Sequence, residues 1–183
     1  MLVSGTGTVL DSVVGASVPV ALVAADRPCE ALERASRAGI EPLLVARKSF
    51  GQDFDRPAYT ASMVAELSER HIDLIAMAGF GTIFTSEIHD VYGGRILNTH
   101  PSLLPAFPGW HAVRDALAYG VKVTGCTVHV AGVEVDTGPI LAQEPVRVRD
   151  DDTEESLHQR IKAVEHKLYP DTIRSILERG SVL

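Results

Sequence analysis

The chain has 183 residues, of which 45% are hydrophobic, enough for one globular domain with a full core. A net charge of -7 argues against non-specific nucleic-acid binding, which needs a basic surface. The two cysteines lack the spacing of a disulfide framework or zinc site, no apolar run reaches the length of a membrane span, and no signal peptide is evident. We therefore expect one cytoplasmic domain over residues 1–183, without a metal, nucleic acid or membrane as partner. We also expect small-molecule substrates and a monomer or homodimer, which the composition itself does not decide.

The first half of the chain alternates between short apolar runs and stretches with helical spacing. The apolar runs predict strands at Met1–Val3, Pro19–Ala24, Pro42–Ala46 and Asp73–Ala78. Helical spacing predicts helices at Val9–Val14, Pro28–Ala38, Ala58–Arg70 and, after the last strand, near Thr85–His89. Because strands and helices alternate, we expect a parallel sheet with right-handed crossovers.

The second half begins with a strand at Ile96–Leu97 that leads into three prolines, so Thr99–Gly109 is predicted to be a stiff loop. A helix is predicted at Trp110–Tyr119. The strands predicted at Val123–Val130 and Pro139–Val148 are near enough in sequence to pair as an antiparallel edge. The predicted fold class is α/β, with three layers around an open, mostly parallel sheet, an antiparallel edge and a long C-terminal helix.

The acidic run at residues 150–155 is interpreted as the start of that last helix rather than as a metal site. We expect Asp152 to cap the helix together with Glu155, because acidic groups at a helix N-terminus interact favourably with the helix dipole. Pro170 lies inside the helical pattern, so we expect it to kink or break the helix.

Candidate chemistry is concentrated at Asn98 and His100, which follow the Ile96–Leu97 strand, and at Asp136 in a turn-rich loop. A carboxylate beside an imidazole orients the ring and favours its protonated form, and a carboxamide can donate to a developing oxyanion. These residues fit acyl transfer at a carbonyl without a protein nucleophile. His129 lies in an apolar strand and is expected to be a packed structural histidine.

A glycine-containing loop, Ser4–Thr8, separates the first predicted strand from the first predicted helix. Free N–H groups at a helix N-terminus attract anions, so this layout fits a phosphate-binding loop. Gly-x-Gly is also common in ordinary turns, and the pattern alone leaves both interpretations open.

Three segments resemble the signatures of folate-dependent formyltransferases. They are Asn98–Gly109 (Asn-Thr-His-Pro-Ser-Leu-Leu-Pro-Ala-Phe-Pro-Gly), Gly125–His129 and Asp136–Pro139. The resemblance extends from Ser4 to the terminal helix. It implies the Rossmann-like formyltransferase fold and formyl transfer from the co-substrate 10-formyltetrahydrofolate to an amine. Asn98, His100 and Asp136 match the family's catalytic Asn, His and Asp.

The resemblance also implies binding residues. The ribonucleotide phosphate loop of the family matches Gly7, Thr8 and Val9, and its ribose-contacting Glu matches Glu165. The folate-binding residues match Arg56, Gly81, Thr82, Ile83, Phe84 and Asn98, supported by the turn Ala131–Asp136. Two segments depart from the family pattern: in the phosphate loop Val9 replaces a small polar residue, and in the folate segment Phe80-Gly-Thr-Ile-Phe84 replaces Phe-Met-Arg-Ile-Leu.

The acceptor expected from the resemblance is the amine of glycinamide ribonucleotide, in purine biosynthesis. Two alternatives remain: another small amine, such as that of a nucleotide sugar, or a folate-binding protein with little activity. An acidic chain argues against a transfer-RNA acceptor. Hydrolysis of the formyl donor is disfavoured, because such proteins usually carry an additional regulatory domain.

Overall fold

The structure, a computed structural model, describes residues 1–183 and contains seven strands in the order β3-β2-β1-β4-β5-β6-β7. The strands are β1 Leu2–Val3, β2 Leu22–Ala25, β3 Glu41–Leu44, β4 Ile75–Ala78, β5 Ile96–His100, β6 Val123–Val130 and β7 Ile140–Arg147. The helices are α1 Thr8–Gly15, α2 Glu30–Arg37, α3 Arg56–Glu69, α4 Glu87–Tyr92, α5 Ala112–Tyr119 and α6 Glu154–Arg179. The predicted fold class is confirmed: the sheet is mostly parallel, its edge is antiparallel and the last helix is long.

The chain divides into two compact units, Met1–Leu97 and Asn98–Leu183. In the first unit, β1 pairs in parallel with both β2 and β4, and its two residues are fully buried. The backbone turns into α1 at Gly7, which has a φ of 81°. A Cβ there would lie 2.8 Å from the Cβ of Ala31, so only glycine allows α1 and α2 this close approach.

In the second unit, β6 and β7 form an antiparallel pair with an irregularity between Val128 and His129. Seven of the eight residues of β6 are buried. Its Cys126 packs with Val113 of α5 and with Leu157 and Ile161 of α6 in one apolar cluster. This packing fixes the strand that carries His129.

Strand β5 extends further than the sequence indicated. The predicted loop at Thr99–Gly109 is wrong at its start, because the strand continues through Asn98, Thr99 and His100. Pro101 is the first proline of this segment, so every residue up to His100 keeps its N–H. A residue that precedes proline favours the extended conformation, and the strand therefore continues up to Pro101. Asn98 and His100 therefore lie on a strand rather than on a loop.

The start of α6 also differs from the prediction. Its N-cap is Thr153, whose hydroxyl accepts a hydrogen bond from the N–H of Ser156 at 3.1 Å, while Ser156 Oγ accepts from the N–H of Thr153 at 3.0 Å. Asp152 instead forms an ion pair with Arg160. Pro170 does not break the helix, which continues to Arg179. A proline removes one backbone donor, and burial of Pro170 and its neighbour Tyr169 keeps the helix packed across that point.

Smaller differences concern element ends: β2 starts at Leu22 rather than Pro19, and α5 starts at Ala112 rather than Trp110. Element ends are the least reliable part of a prediction from sequence. None of the helices combines the length and apolar character that crossing a membrane requires.

Candidate active site

Asn98 and His100 lie two residues apart at the end of β5, so their side chains project from the same face of the strand. Asn98 is half-buried and His100 is 5% exposed. Thr99 lies between them and projects from the opposite face. The C-terminal end of β5 thus presents a carboxamide and an imidazole side by side.

Both nitrogens of the His100 ring face oxygen atoms. Nε2 lies 2.8 Å from the carbonyl oxygen of Phe107, and Nδ1 lies 3.3 Å from Oδ2 of Asp136. A carbonyl can only accept, so Nε2 carries a hydrogen and donates it. Both neighbouring oxygens are acceptors, so each ring nitrogen faces a group that can accept its hydrogen. The expectation that Asp136 lies beside the His100 ring is confirmed.

The carboxylate of Asp136 is held by the backbone. The N–H of Gly109 donates to its Oδ2 at 2.7 Å, and the Asp136 side chain is 6% exposed. Asp136 itself has a φ of 56°, a left-handed conformation that Asp and Asn adopt more readily than most residues. Two residues later, a Cβ at Gly138 would lie 2.2 Å from the Val130 carbonyl oxygen, so glycine is required where the loop returns to β6.

His129 joins this group, although the sequence predicted only a packed histidine. It is 1% exposed, as expected, but its Nε2 lies 3.2 Å from Nδ2 of Asn98 and 3.9 Å from Oδ1 of Asp136. Burial lowers the pKa of His129, and its hydrogen bond to the Val130 carbonyl opposes this shift. The missed signal was its place in the motif Gly125–His129.

Glu165 on α6 is a largely buried carboxyl group. Burial raises its pKa, and a hydrogen bond from Thr99 opposes that rise. The Thr99 hydroxyl also lies 3.3 Å from Sγ of Cys126, whose pKa burial raises to about 12. Thr99 therefore connects the strand that carries Asn98 and His100 to the carboxyl group on α6.

In the first unit, Gly7, Thr8 and Val9 form the N-cap and first turn of α1. No side chain caps this helix, so its first N–H groups have no side-chain acceptor. Val9 offers no side-chain donor of its own. An anion at this position would be held by backbone N–H groups, and Thr8 is the one residue of the three with a side-chain donor.

The segment Gly81–Phe84 follows β4 and is anchored at both ends. The N–H of Gly81 donates to Oγ of Ser4 at 2.7 Å, which connects the segment to the loop before α1. Phe84 stacks on Tyr59 of α3, with 6.2 Å between ring centroids. Ile83 is exposed, and so is Arg56 at the start of α3.

Thr82 has a different environment from the one its assignment implied. Its side chain is buried, and its hydroxyl donates to Oδ2 of Asp26 at 2.7 Å. The Thr82 side chain is therefore occupied by the protein, and only its backbone remains for a ligand. The structure contains no group of three or more His, Cys, Asp or Glu side chains placed to hold a metal ion.

Comparison with known proteins defines the class. The model of the formyl transferase family matches residues 1–173, so the chain belongs to this family of enzymes. The resemblance read from the motifs is thereby confirmed.

Individual relatives carry more particular names. A phosphoribosylglycinamide formyltransferase of Mycobacterium tuberculosis is 44% identical over 98% of this chain and 85% of its own length. The trifunctional purine biosynthetic protein adenosine-3 of Drosophila melanogaster is 38% identical over the whole chain, which matches 14% of that longer protein. The crystal structure of glycinamide ribonucleotide transformylase 1 from Symbiobacterium toebii superposes with a TM-score of 0.89 at 40% identity, covering 98% of this chain and 86% of that one.

Proposed function

We propose that this enzyme transfers the formyl group of 10-formyltetrahydrofolate to the amine of glycinamide ribonucleotide, a step of purine biosynthesis. The observation that carries the proposal is the 3.3 Å approach of Asp136 to His100, on the strand that also presents Asn98. The names of the relatives support the acceptor, since each is a transformylase of this ribonucleotide or a purine biosynthetic protein.

The proposed chemistry is attack of the acceptor amine on the formyl carbon. A carbon–nitrogen bond forms, the carbonyl electron pair moves to oxygen, and collapse returns that pair and breaks the bond to the folate nitrogen, which takes a proton. Asn98 donates an N–H to the developing oxyanion, and protonated His100 stabilises the same charge. His100 gives its Nε2 proton to the leaving nitrogen and takes up the proton that the attacking amine loses, directly or through water, as its Nε2 exchanges the Phe107 carbonyl for the substrate. Asp136 orients the His100 ring by accepting the hydrogen of its Nδ1.

The binding residues are assigned by the same proposal. Backbone N–H groups of Gly7, Thr8 and Val9 hold the ribonucleotide phosphate, and Glu165 accepts from the ribose hydroxyls. The folate-binding residues assigned by the match to the family pattern are Arg56, Gly81, Thr82, Ile83, Phe84 and Asn98. The single domain over residues 1–183, the monomeric or homodimeric state and the cytoplasmic location remain predictions from the sequence.

The test is a transfer assay with purified protein and two acceptors. With 10-formyltetrahydrofolate and glycinamide ribonucleotide, we expect release of tetrahydrofolate together with the formylated ribonucleotide, identified by mass. An amino sugar nucleotide at the same concentration is the matched alternative acceptor. Faster transfer to the sugar nucleotide would overturn the assigned acceptor, and folate binding without transfer to either amine would overturn the proposed activity.

A further inference from the structure

Arg27, the second residue after β2, is hydrogen-bonded to the buried carboxylate of Asp26. Its Nε donates to Oδ1 of Asp26 at 3.0 Å and its Nη2 donates to Oδ2 at 3.1 Å, a two-point pairing that fixes the plane of the guanidinium. Asp26 is fully buried and also accepts the hydroxyl hydrogen of Thr82. Burial opposes ionisation of Asp26, but hydrogen bonds from Arg27, Thr82 and Ser4 outweigh it and lower the pKa of this carboxyl.

Gly81 and Thr82 together fix the position of this guanidinium. A Cβ at Gly81 would lie 3.1 Å from Nη2 of Arg27, so the absence of a side chain lets the guanidinium lie against the Gly81 backbone. Thr82 donates a hydrogen bond to the carboxylate of Asp26 and so fixes the group that pairs with Arg27. The two residues that depart from the Met-Arg of the family pattern are thus the two that position Arg27.

One edge of the guanidinium remains unused. Asp26 occupies the edge formed by Nε and Nη2, whereas Nη1 and the second hydrogen of Nη2 have no acceptor in the protein. The Arg27 side chain is 38% exposed. Its Cζ lies 4.3 Å from the ring centroid of Phe50, which is 56% exposed. A rigid cation with a free two-donor edge beside an exposed aromatic ring is suited to a planar carboxylate joined to an aromatic group.

We propose that Arg27 binds a carboxylate of the glutamate tail of the folate substrate through this free edge. The inference rests on the proposed function, which supplies the folate, and it adds the residue that recognises the tail. Folate joins its glutamate carboxylates to an aromatic aminobenzoyl group, which matches the pairing of Arg27 with Phe50. The neighbouring Gly81–Phe84 segment is the one assigned to folate, and Phe50 lies under a second guanidinium, that of Arg47, at 4.7 Å.

The test compares two ligands that differ only in the tail: tetrahydrofolate and the tetrahydropteroyl amide, in which a neutral primary amide replaces the glutamate so that no carboxylate remains. Their dissociation constants are measured by calorimetry under anaerobic conditions, with no turnover required. Loss of a charged hydrogen bond corresponds to about a tenfold to hundredfold change in affinity. We expect Arg27→Ala to weaken tetrahydrofolate binding by about that factor and to leave binding of the tetrahydropteroyl amide unchanged.

Two further variants control for structure. Arg27→Ala leaves the buried Asp26 unpaired, so the double variant Asp26→Asn/Arg27→Ala removes both charges and should show the same selective loss. Arg70→Ala is the matched control. Arg70 also pairs with carboxylates, those of Glu41 and Glu66, but it is not among the residues assigned to catalysis or to substrate binding. The Arg70→Ala protein should bind both ligands as the wild type does.

The outcomes separate this inference from the proposed function. Equal weakening for both ligands would assign Arg27 a structural role only. Unchanged tetrahydrofolate binding in Arg27→Ala would show that Arg27 does not bind the tail; either result overturns the inference. A wild-type protein that does not bind tetrahydrofolate would also overturn it. Folate binding with the expected selectivity but without formyl transfer would contradict the proposed function and support the role of Arg27.

Discussion

The amide nitrogen of Asn98 lies 3.2 Å from Nε2 of His129. Because Nδ1 of His129 lies 3.0 Å from the Val130 carbonyl oxygen, that nitrogen carries the ring hydrogen and Nε2 is the acceptor. Asn98 therefore donates one N–H to His129, which fixes the orientation of its carboxamide. Its second N–H stays available for a substrate oxygen. His129 is a positioning residue for Asn98, and this role leads to two predictions.

The first prediction concerns catalysis. His129→Leu removes the acceptor, so the Asn98 amide can rotate and its second N–H is no longer aimed. Loss of one aimed oxyanion donor typically lowers kcat by about a hundredfold to a thousandfold, and we expect His129→Leu to lose about tenfold to a hundredfold because Asn98 itself remains. The KM for the formyl donor should change little. His129→Gln retains an acceptor oxygen and should recover part of the loss, whereas equal activity of wild type and His129→Leu would exclude the positioning role.

The second prediction concerns pH. Burial lowers the pKa of His129 below its ordinary value of 6.5, so the unfolded chain binds a proton more readily than the folded protein does. Above the pKa of the unfolded chain, His129 is neutral in both states and does not affect stability. As the pH falls below about 6.5, protonation favours the unfolded chain and the folded state loses stability. The free energy of unfolding, measured by urea titration from about pH 7.5 to 5, should therefore decrease less steeply for His129→Gln than for wild type. Parallel curves would show that His129 does not contribute to this slope.

Asp136 allows a substitution that removes charge without removing the local structure. Asparagine tolerates the left-handed backbone conformation at this position and can accept the N–H of Gly109. Asp136→Asn should therefore remain folded, with an unchanged melting temperature, while kcat decreases by about a hundredfold, the order seen when one electrostatic partner is lost from an active site. A large drop in melting temperature with kcat preserved in the folded fraction would reverse this assignment.

The two cysteines should differ sharply in reactivity. Burial raises the pKa of the Cys126 thiol to about 12, and the thiolate is the reactive form, so at about pH 8 only roughly one molecule in ten thousand would carry it. Cys29 is partly exposed. Iodoacetamide should modify Cys29 in the native protein and Cys126 only in urea, as read by peptide mass. Rapid native labelling of Cys126 in a Cys29→Ser variant would show that the β6 strand opens readily.

The sequence predicted the sheet and its antiparallel edge because periodicity reports them directly. It predicted the approach of Asp136 to His100 because both follow predicted strands and because the resemblance to folate-dependent formyltransferases implies that they act together. The three prolines predicted a loop that includes His100, but the effect of a proline on the backbone begins only at Pro101, so β5 continues through His100. The sequence did not predict the contact between Asn98 and His129, because such a contact depends on how two strands present their side chains. The role of Arg27 is not predictable from the sequence for the same reason: nothing near Arg27 in the sequence indicates that Gly81 and Thr82 fix its position.

Formyl transfer by the His100→Ala variant tests the central claim most directly. The measurement is kcat with 10-formyltetrahydrofolate and glycinamide ribonucleotide, alongside the dissociation constant for tetrahydrofolate. We predict that kcat falls by about a thousandfold or more, since both charge stabilisation and proton transfer are lost, while folate binding changes less than about threefold. A His100→Ala enzyme that retains more than about a tenth of the wild-type kcat would contradict the assignment of the reaction to this site.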